Sequence, residues 1–333
     1  MVSVAFNLKG GIGDILCGFN YVKYFWLRFK DNLDRLDIYA FRNIDVLKSI
    51  ITEDFVSGVF LDNQKRKKYD LVIKLNRYPQ VEMVSDNIAK TSTEFIEYIN
   101  LIKKFNLKYY HFFKHCPVCD GLSNDLLEIE NKKRIQQADI YNYFSISTNN
   151  LVNIKINDEE TVLSKFGLEK NNFIIVHRGV DTVQCKTSNK LWPTQYYEEL
   201  ISLVRKKSHL TIVQVGYTFD EILSGVDLDL RGKTNFSELI SLLDSARLHI
   251  DNEGGLVHLR HFICKGKSIV FFGPTSPDVY GYSENLNLRS CVCKYPCEWV
   301  SNKWQEHCIS DDKNICMHSL TPDFVFNRIV CFL

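Results

Sequence analysis

The run HIDNEGGLVHLRHFICKGKSIVFFGPTSPD, from His249 to Asp278, carries the fold in miniature. An apolar strand, Leu248 to Asp251, runs into Asn252-Glu253-Gly254-Gly255, and an amphipathic helix opens at Gly255. A second strand, Ser268 to Phe272, stops at Gly273-Pro274-Thr275. Strand, helix and strand in this order read as one right-handed crossover of a parallel sheet. Open α/β sheets bind ligands at the carboxyl ends of their strands. An acid with two glycines at one such end, and a Gly-Pro-Thr turn at the next, therefore mark a site.

The same alternation extends in both directions. A buried strand, Val2 to Leu8, meets the glycine-rich turn Lys9-Gly10-Gly11-Ile12-Gly13-Asp14. Apolar Phe19, Val22, Trp26 and Phe29 then recur at helical spacing. Further strands are expected at Leu36–Phe41, Ser57–Leu61, Asp70–Leu75, Phe173–His177, Leu210–Val215 and Leu228–Leu230, with helices starting near Thr194 and Asn235. Between Ile146 and Asp158 the pattern dissolves into Ser, Thr and Asn, the signature of a linker. The economical architecture is α/β, with two Rossmann-like doubly wound domains facing across a cleft. Residues 1–150 form the first and residues 151–320 the second, which includes a cysteine-rich segment at 291–316. A closing helix occupies 321–333, with Thr321 as N-cap and Pro322 at its first position.

At 333 residues the chain is long for one core, which agrees with two domains. A formal charge of +1 gives no global pull on nucleic acid, so no nucleic-acid partner is expected. The one basic run, Lys65-Arg66-Lys67-Lys68, reads as a solvated turn. No leader-like segment precedes the first strand, and no apolar run approaches the ~20 residues that span a bilayer. A cytoplasmic chain with reduced cysteines is expected. The count of 11 cysteines is odd, and five crowd between Cys291 and Cys316, which argues for metal rather than disulfides.

Four stretches carry candidate chemistry. The first turn fails the dinucleotide fingerprint, because Leu16 stands where a third glycine belongs. What remains is a tight turn that sets Asp14 at the head of a helix, either as a cap or as a general base facing a cleft. The second stretch runs from His177-Arg178-Gly179 to Lys190-Leu191-Trp192-Pro193. A lysine just before a helix start can meet a phosphate as a point charge, or be an ordinary loop lysine. In the third, glycines at 254 and 255 let backbone N–H groups approach a diphosphate, and Glu253 suits sugar hydroxyls. His258, one turn into that helix, is either a packed residue or a ligand contact, and Thr275 bonds a phosphate or its own turn. The fourth is Cys291-x-Cys293-x3-Cys297-x10-Cys308-x7-Cys316. Its thiols suit a tetrahedral structural zinc or iron, through Cys293, Cys297, Cys308 and Cys316 with Cys291 in competition, or else they are separate buried thiols. Cys116 and Cys119, flanked by His111 and His115, are a weaker second pair.

The order of these motifs resembles one family. Gly13-Asp14-Ile15, Lys190-Leu191-Trp192-Pro193, Arg231-Gly232-Lys233-Thr234, Asn252 to His258 and Phe272 to Pro277 follow one another as in the heptosyltransferase-like glycosyltransferases of family 9, which have the GT-B fold. The resemblance implies inverting, metal-independent transfer from a nucleotide-diphospho-sugar, with no cofactor needed for catalysis. It places Asp14 as the base and Gly11 and Gly13 on the acceptor side. It places Lys190, Glu253, Gly254, Gly255, His258, Gly216, Thr275 and Arg178 around the donor. Glu253 is one methylene longer than the family's usual Asp, and Gly254 replaces a hydroxyl residue. Both departures touch the donor pocket and argue against taking ADP-heptose itself as the donor, so the sugar expected is heptose or a related one. The acceptor implied is a saccharide of lipopolysaccharide, O-antigen or capsule. A lipid-linked acceptor would give the chain peripheral contact with the inner face of the cytoplasmic membrane. Alternative readings are a protein (autotransporter-type) heptosyltransferase and a non-catalytic nucleotide-sugar-binding protein.

Overall fold

A computed structural model describes residues 1–42, 44–51, 54–64, 67–76, 78–110, 144, 152, 154, 156, 158–180, 188–264, 266–293, 296–298, 303–309 and 314–333. Lys65, Arg66, His111, His115, Cys116 and Cys119 lie outside the described residues, as does most of the expected linker. The chain divides into two compact units, Met1–Lys155 and Ile156–Leu333.

The first unit holds a five-stranded sheet of order β3-β2-β1-β4-β5. Its strands are β1 (Val2–Leu8), β2 (Leu33–Ala40), β3 (Gly58–Leu61), β4 (Leu71–Asn76) and β5 (Tyr78–Val84). Its helices are α1 (Ile12–Phe29), α2 (Ile44–Ile50) and α3 (Thr93–Lys108). Neighbours pair in parallel except β4 and β5, which form an antiparallel hairpin at the edge. Sequence reasoning misses β5 because Pro79 speaks against a strand, yet an edge strand tolerates proline where no ladder N–H is needed. Phe19, Val22, Phe25 and Phe29 of α1 are buried. Phe25 and Phe29 interlock with Phe95 and Tyr98 of α3 at centroid distances of 5.1–5.9 Å. The aromatic face of α1 is therefore core. No helix among the described residues is long and apolar enough to cross a membrane.

The second unit opens with helix α4 (Glu159–Phe166) and holds a six-stranded, all-parallel sheet of order β11-β10-β9-β6-β7-β8. The strands are β6 (Phe173–His177), β7 (Thr211–Val215), β8 (Leu228–Asp229), β9 (Leu248–Asn252), β10 (Ser268–Phe272) and β11 (Leu286–Arg289). The remaining helices are α5 (Thr194–Arg205), α6 (Phe236–Ser245), α7 (Gly255–Cys264), α8 (Pro277–Tyr280), α9 (Ile315–His318) and α10 (Pro322–Ile329). β9 and β10 are buried along their whole length, as central parallel strands covered on both faces must be. One face packs Trp192, Tyr197, Leu200 and Val204 with Val325 and Ile329 of α10 into a single cluster. Trp192, fully buried, stacks on Phe271 at 4.3 Å and donates its indole N–H to the Leu320 carbonyl at 2.8 Å. The Lys190 loop and the chain's last helix are thus pinned to the same sheet. β9 runs one residue beyond the expected Asp251, since Asn252 still pairs with Phe271.

Candidate active site

In the first unit the site is built by the turn between β1 and α1. Gly10 has φ +103°, and a Cβ there would lie 2.3 Å from Asp14 Oδ2, so the turn closes only around glycine. Gly11 is the N-cap of α1, and its N–H donates to Asp14 Oδ2 at 2.9 Å. Asp14 therefore does cap its helix, one of the two roles open to it, and this contact also fixes where its carboxylate sits. Gly13 is buried inside the first turn. Two basic residues that sequence reasoning missed border the same turn: Arg42 donates Nε to the Gly10 carbonyl at 3.2 Å, and Lys9 pairs with Asp62. Their signal was positional, since each directly follows, or nearly follows, a strand's carboxyl end.

In the second unit six of the expected donor residues, Lys190, Glu253, Gly254, Gly255, His258 and Thr275, gather around the start of α7. Lys190 Nζ lies 2.5 Å from Glu253 Oε2, a contact between the Lys190 loop and the end of β9. Glu253 is 6% exposed. Burial pushes its carboxyl upward, but Lys190, with His258 and the Thr275 hydroxyl, outweighs that and holds it below the usual glutamate range. It is thus an anion at neutral pH. His258 Nδ1 shares a hydrogen bond of 2.6 Å with the buried Tyr282 hydroxyl, so it is packed as well as close to Glu253. A Cβ on Gly254 would meet nothing nearer than the Asn252 carbonyl at 3.8 Å, so no neighbour among the described residues demands glycine at that position. At Gly273 a neighbour does: a Cβ there would come 2.6 Å from the Asn189 carbonyl, so this glycine lets the Thr275 turn nest beneath the Lys190 loop.

Arg178 and Gly216 stand apart from that cluster. Arg178 donates Nε to the Trp192 carbonyl at 3.1 Å and pairs with Glu221 at 3.0 Å. Gly216 has φ +143° and abuts Asp220 and His177. Here lies a buried polar chain that sequence reasoning did not single out. His177 Nδ1 is 2.8 Å from Asp251 Oδ1, and His249 Nε2 is 3.4 Å from Asp251 Oδ2. Burial lowers the His177 pKa, yet Asp251 and then Asp220 more than reverse this, so it ends above the usual histidine range. Asp220, half-buried, is raised by desolvation. The signal was His249 and Asp251 at alternate positions of an otherwise apolar strand.

Among the described residues no group of three or more His, Cys, Asp or Glu is arranged to hold a metal ion. The four expected thiols are nevertheless neighbours. Burial raises the Cys297 pKa, with Cys308 and Cys293 adding to it. Burial and then Cys293, Cys297 and Cys308 push Cys316 up to about 12. Cys291 is exposed and has no part in these couplings.

Two Rossmann-like α/β units define a GT-B type of fold. A family model described as glycosyltransferase family 9 (heptosyltransferase) matches residues 138–309, just over half the chain. The chain belongs to glycosyltransferase family 9. Lipooligosaccharide heptosyltransferase 2 of Haemophilus ducreyi is 24% identical over 117 residues, a match that spans 32% of this chain and about a third (33%) of that relative. The fold is similar to E. coli ADP-heptose LPS heptosyltransferase II, with a TM-score of 0.60 at 14% identity over 99% of this chain and 98% of that one. It is also similar to the dodecameric iron-containing heptosyltransferase TibC of enterotoxigenic E. coli, solved with ADP-D-beta-D-heptose. There the TM-score is 0.65 at 13% identity, over 99% of this chain and 76% of that one.

Proposed function

We propose that the chain is an inverting glycosyltransferase that moves heptose or a related sugar from a nucleotide-diphospho-sugar to a saccharide hydroxyl. The observation that carries this reading is the convergence of Lys190, Glu253 and Thr275 at the start of α7. Helix starts present unsatisfied N–H groups and a positive dipole end, which suit a diphosphate. Lys190 has three N–H donors, so it can keep one on Glu253 and offer another to a phosphate oxygen. Glu253, held ionised, is an acceptor for sugar hydroxyls.

In the reaction Asp14 takes the proton of the acceptor hydroxyl as that oxygen attacks the anomeric carbon from the face opposite the diphosphate. The new C–O bond forms while the bond to the diphosphate breaks, and the leaving group takes the electron pair. Lys190 and the amides at Gly254 and Gly255 stabilise the charge where it develops. A carboxylate is a weak base at neutral pH, so positioning must supply much of the effect. The Gly11 amide on Oδ2 provides that positioning.

The names of the relatives support a heptose donor and a lipopolysaccharide or lipooligosaccharide acceptor, which would place the work at the inner face of the cytoplasmic membrane. TibC is iron-containing. In this chain Cys293, Cys297, Cys308 and Cys316 are the candidate ligands of a structural iron or zinc by residue type and mutual coupling, and as placed here they are not arranged to hold one. Such a metal would clamp the 291–316 segment and supply no chemistry to the transfer. The test is Asp14→Asn assayed with ADP-heptose and an oligosaccharide acceptor. Transfer should fall by at least a hundredfold, the usual scale for a general base, while ADP binding by calorimetry stays unchanged. A variant that keeps most of its turnover would remove Asp14 from the role of base.

A further inference from the structure

Lys190 has to reach a phosphate, yet the structure anchors its loop from outside the donor motifs. The residues on both sides of it are held by the cysteine-rich segment. Asn189 donates its backbone N–H to the Gln305 carbonyl at 2.6 Å and its side-chain Nδ2 to the Trp304 carbonyl at 3.1 Å. Asn314 Nδ2 donates to the Asn189 carbonyl at 2.6 Å and lies 3.4 Å from the Leu191 carbonyl. The Asn314 amide is itself oriented from the other end, because the Cys316 thiol donates to its Oδ1 at 3.2 Å. A continuous chain of hydrogen bonds thus runs from a cysteine of the cluster, through one amide, to the peptide units on either side of Lys190. The second donor turn is tied to the same segment: the N–H groups of Cys297 and Glu298 both donate to the Pro274 carbonyl, at 2.9 and 3.1 Å. Trp304, 4% exposed, seats this strap in the protein interior.

We infer that Asn314 is a positioning residue for the donor diphosphate, which it acts on through the backbone of the Lys190 loop. An asparagine suits the place because one planar group must accept from a thiol and donate to two carbonyls at once. The Lys190 backbone N–H donates to the local Ser188 hydroxyl at 3.2 Å. Cutting the Asn314 bonds loosens the carbonyl side of the loop, while the ties of Asn189 to Gln305 and Trp304 and the sheet beneath are kept. An ammonium held by its loop meets a phosphate with less ordering left to do on binding, which is the energetic meaning of preorganisation. The cysteine segment then has a role in donor affinity without touching the donor. Any change there that reorients Asn314, such as metal binding or thiol oxidation at Cys316, is transmitted to Lys190.

This inference rests on the reading of Lys190 as the diphosphate contact, and the test separates the two. Calorimetry with ADP, inorganic pyrophosphate and adenosine is run on the wild type, Asn314→Ala, Lys190→Met and the double variant. Asn314→Ala should weaken ADP and pyrophosphate about tenfold, the scale of one or two lost hydrogen bonds, and leave adenosine unchanged. In the Lys190→Met background it should remove nothing more, because two residues acting through one contact are not additive. A merely structural role would lower the melting temperature and weaken all three ligands alike. Should Asn314→Ala fail to fold, Asn314→Leu, which keeps the side-chain volume and removes the donor to the Asn189 and Leu191 carbonyls, reads the same coupling. ADP binding equal to wild type, or a further loss in the Lys190→Met background, overturns the inference. Absence of nucleotide binding by the wild type would instead sink the donor reading itself.

Discussion

Lys190→Met isolates the electrostatics at the centre of the proposed donor site, since methionine keeps most of the side-chain volume and removes only the charge. The ammonium and the Glu253 carboxylate are 2.5 Å apart, with side chains 19% and 6% exposed. At an effective dielectric near 20 their attraction is about 7 kcal/mol. Most of that is offset by the cost of taking both charges out of water, so the intact pair contributes little net stability. Removing one partner is different, because the other is left buried and uncompensated, at about 3–5 kcal/mol. For a unit as long as Ile156–Leu333 each kcal/mol moves the transition by about 2–4 °C, so the melting temperature should fall by roughly 10 °C. The sign with pH follows from linkage. In the wild type Glu253 is held below its ordinary range, so its stabilisation is present above that range and is lost as pH falls through the folded value. In Lys190→Met burial is opposed only by the smaller effects of His258 and the Thr275 hydroxyl, so the carboxyl rises, and the deficit is largest at pH 8 and relaxes as acid protonates Glu253. Adding Glu253→Gln should restore most of the loss at pH 8. Calorimetric scans from pH 5 to pH 8 measure all of this. A variant that melts with the wild type at pH 8, or a deficit that does not change with pH, would refute the reasoning.

Asp251→Asn should lower the His177 pKa, read by NMR titration of the imidazole. The stability His177 contributes is complete below the ordinary histidine range and is lost as pH rises through its elevated folded value, and the substitution should flatten that slope. An unchanged titration would mean that Asp251 does not set the charge of His177. Elemental analysis of protein purified without chelators should find about one iron or zinc per chain, the count for a single four-thiolate site. Cys297→Ser should abolish the metal and lower the melting temperature, and a metal-free wild type would show that the thiols are neighbours only.

The doubly wound character of each unit was legible because periodicity and punctuation agree. Phe173–His177 and Ser268–Phe272 are unbroken apolar runs that end on glycine-containing turns, and a strand buried on both faces leaves that trace. The elements that escaped notice are those whose environment is mixed. β5 contains Pro79 and turns Glu82, Met83 and Val84 to solvent, so its pattern is neither alternating nor continuous. β11 is four residues with one fully buried side chain, too short for any period to show. The expected strand through Phe41 instead stops at Ala40, and Phe41 is exposed, because the chain has already left the sheet for the turn beside Gly10.

Site residues divide along a different line. Those marked by backbone demands could be found from sequence: Gly10 and Gly273 stand where a Cβ would collide, and they lead to Asp14 and Thr275 beside them. What the chain order hides is which of these side chains meet. Lys190 and Glu253 are 63 positions apart and belong to motifs that sequence reasoning handled separately, one assigned to phosphate and the other to sugar. Their contact follows only from the order β9-β6 in the sheet, which sets the loop after β6 beside the end of β9. The same holds more strongly for Asn314. Nothing in Lys313-Asn314-Ile315 distinguishes that amide from any polar loop residue, and its importance comes from two carbonyls of the distant Lys190 loop together with the Cys316 thiol two residues on. Residues whose role lies in the backbone they free announce themselves by type. Residues whose role lies in the backbone they hold do so only in three dimensions. The cysteine-rich segment therefore reads from sequence as a metal question alone, while the fold makes it the wall against which the Lys190 loop is set.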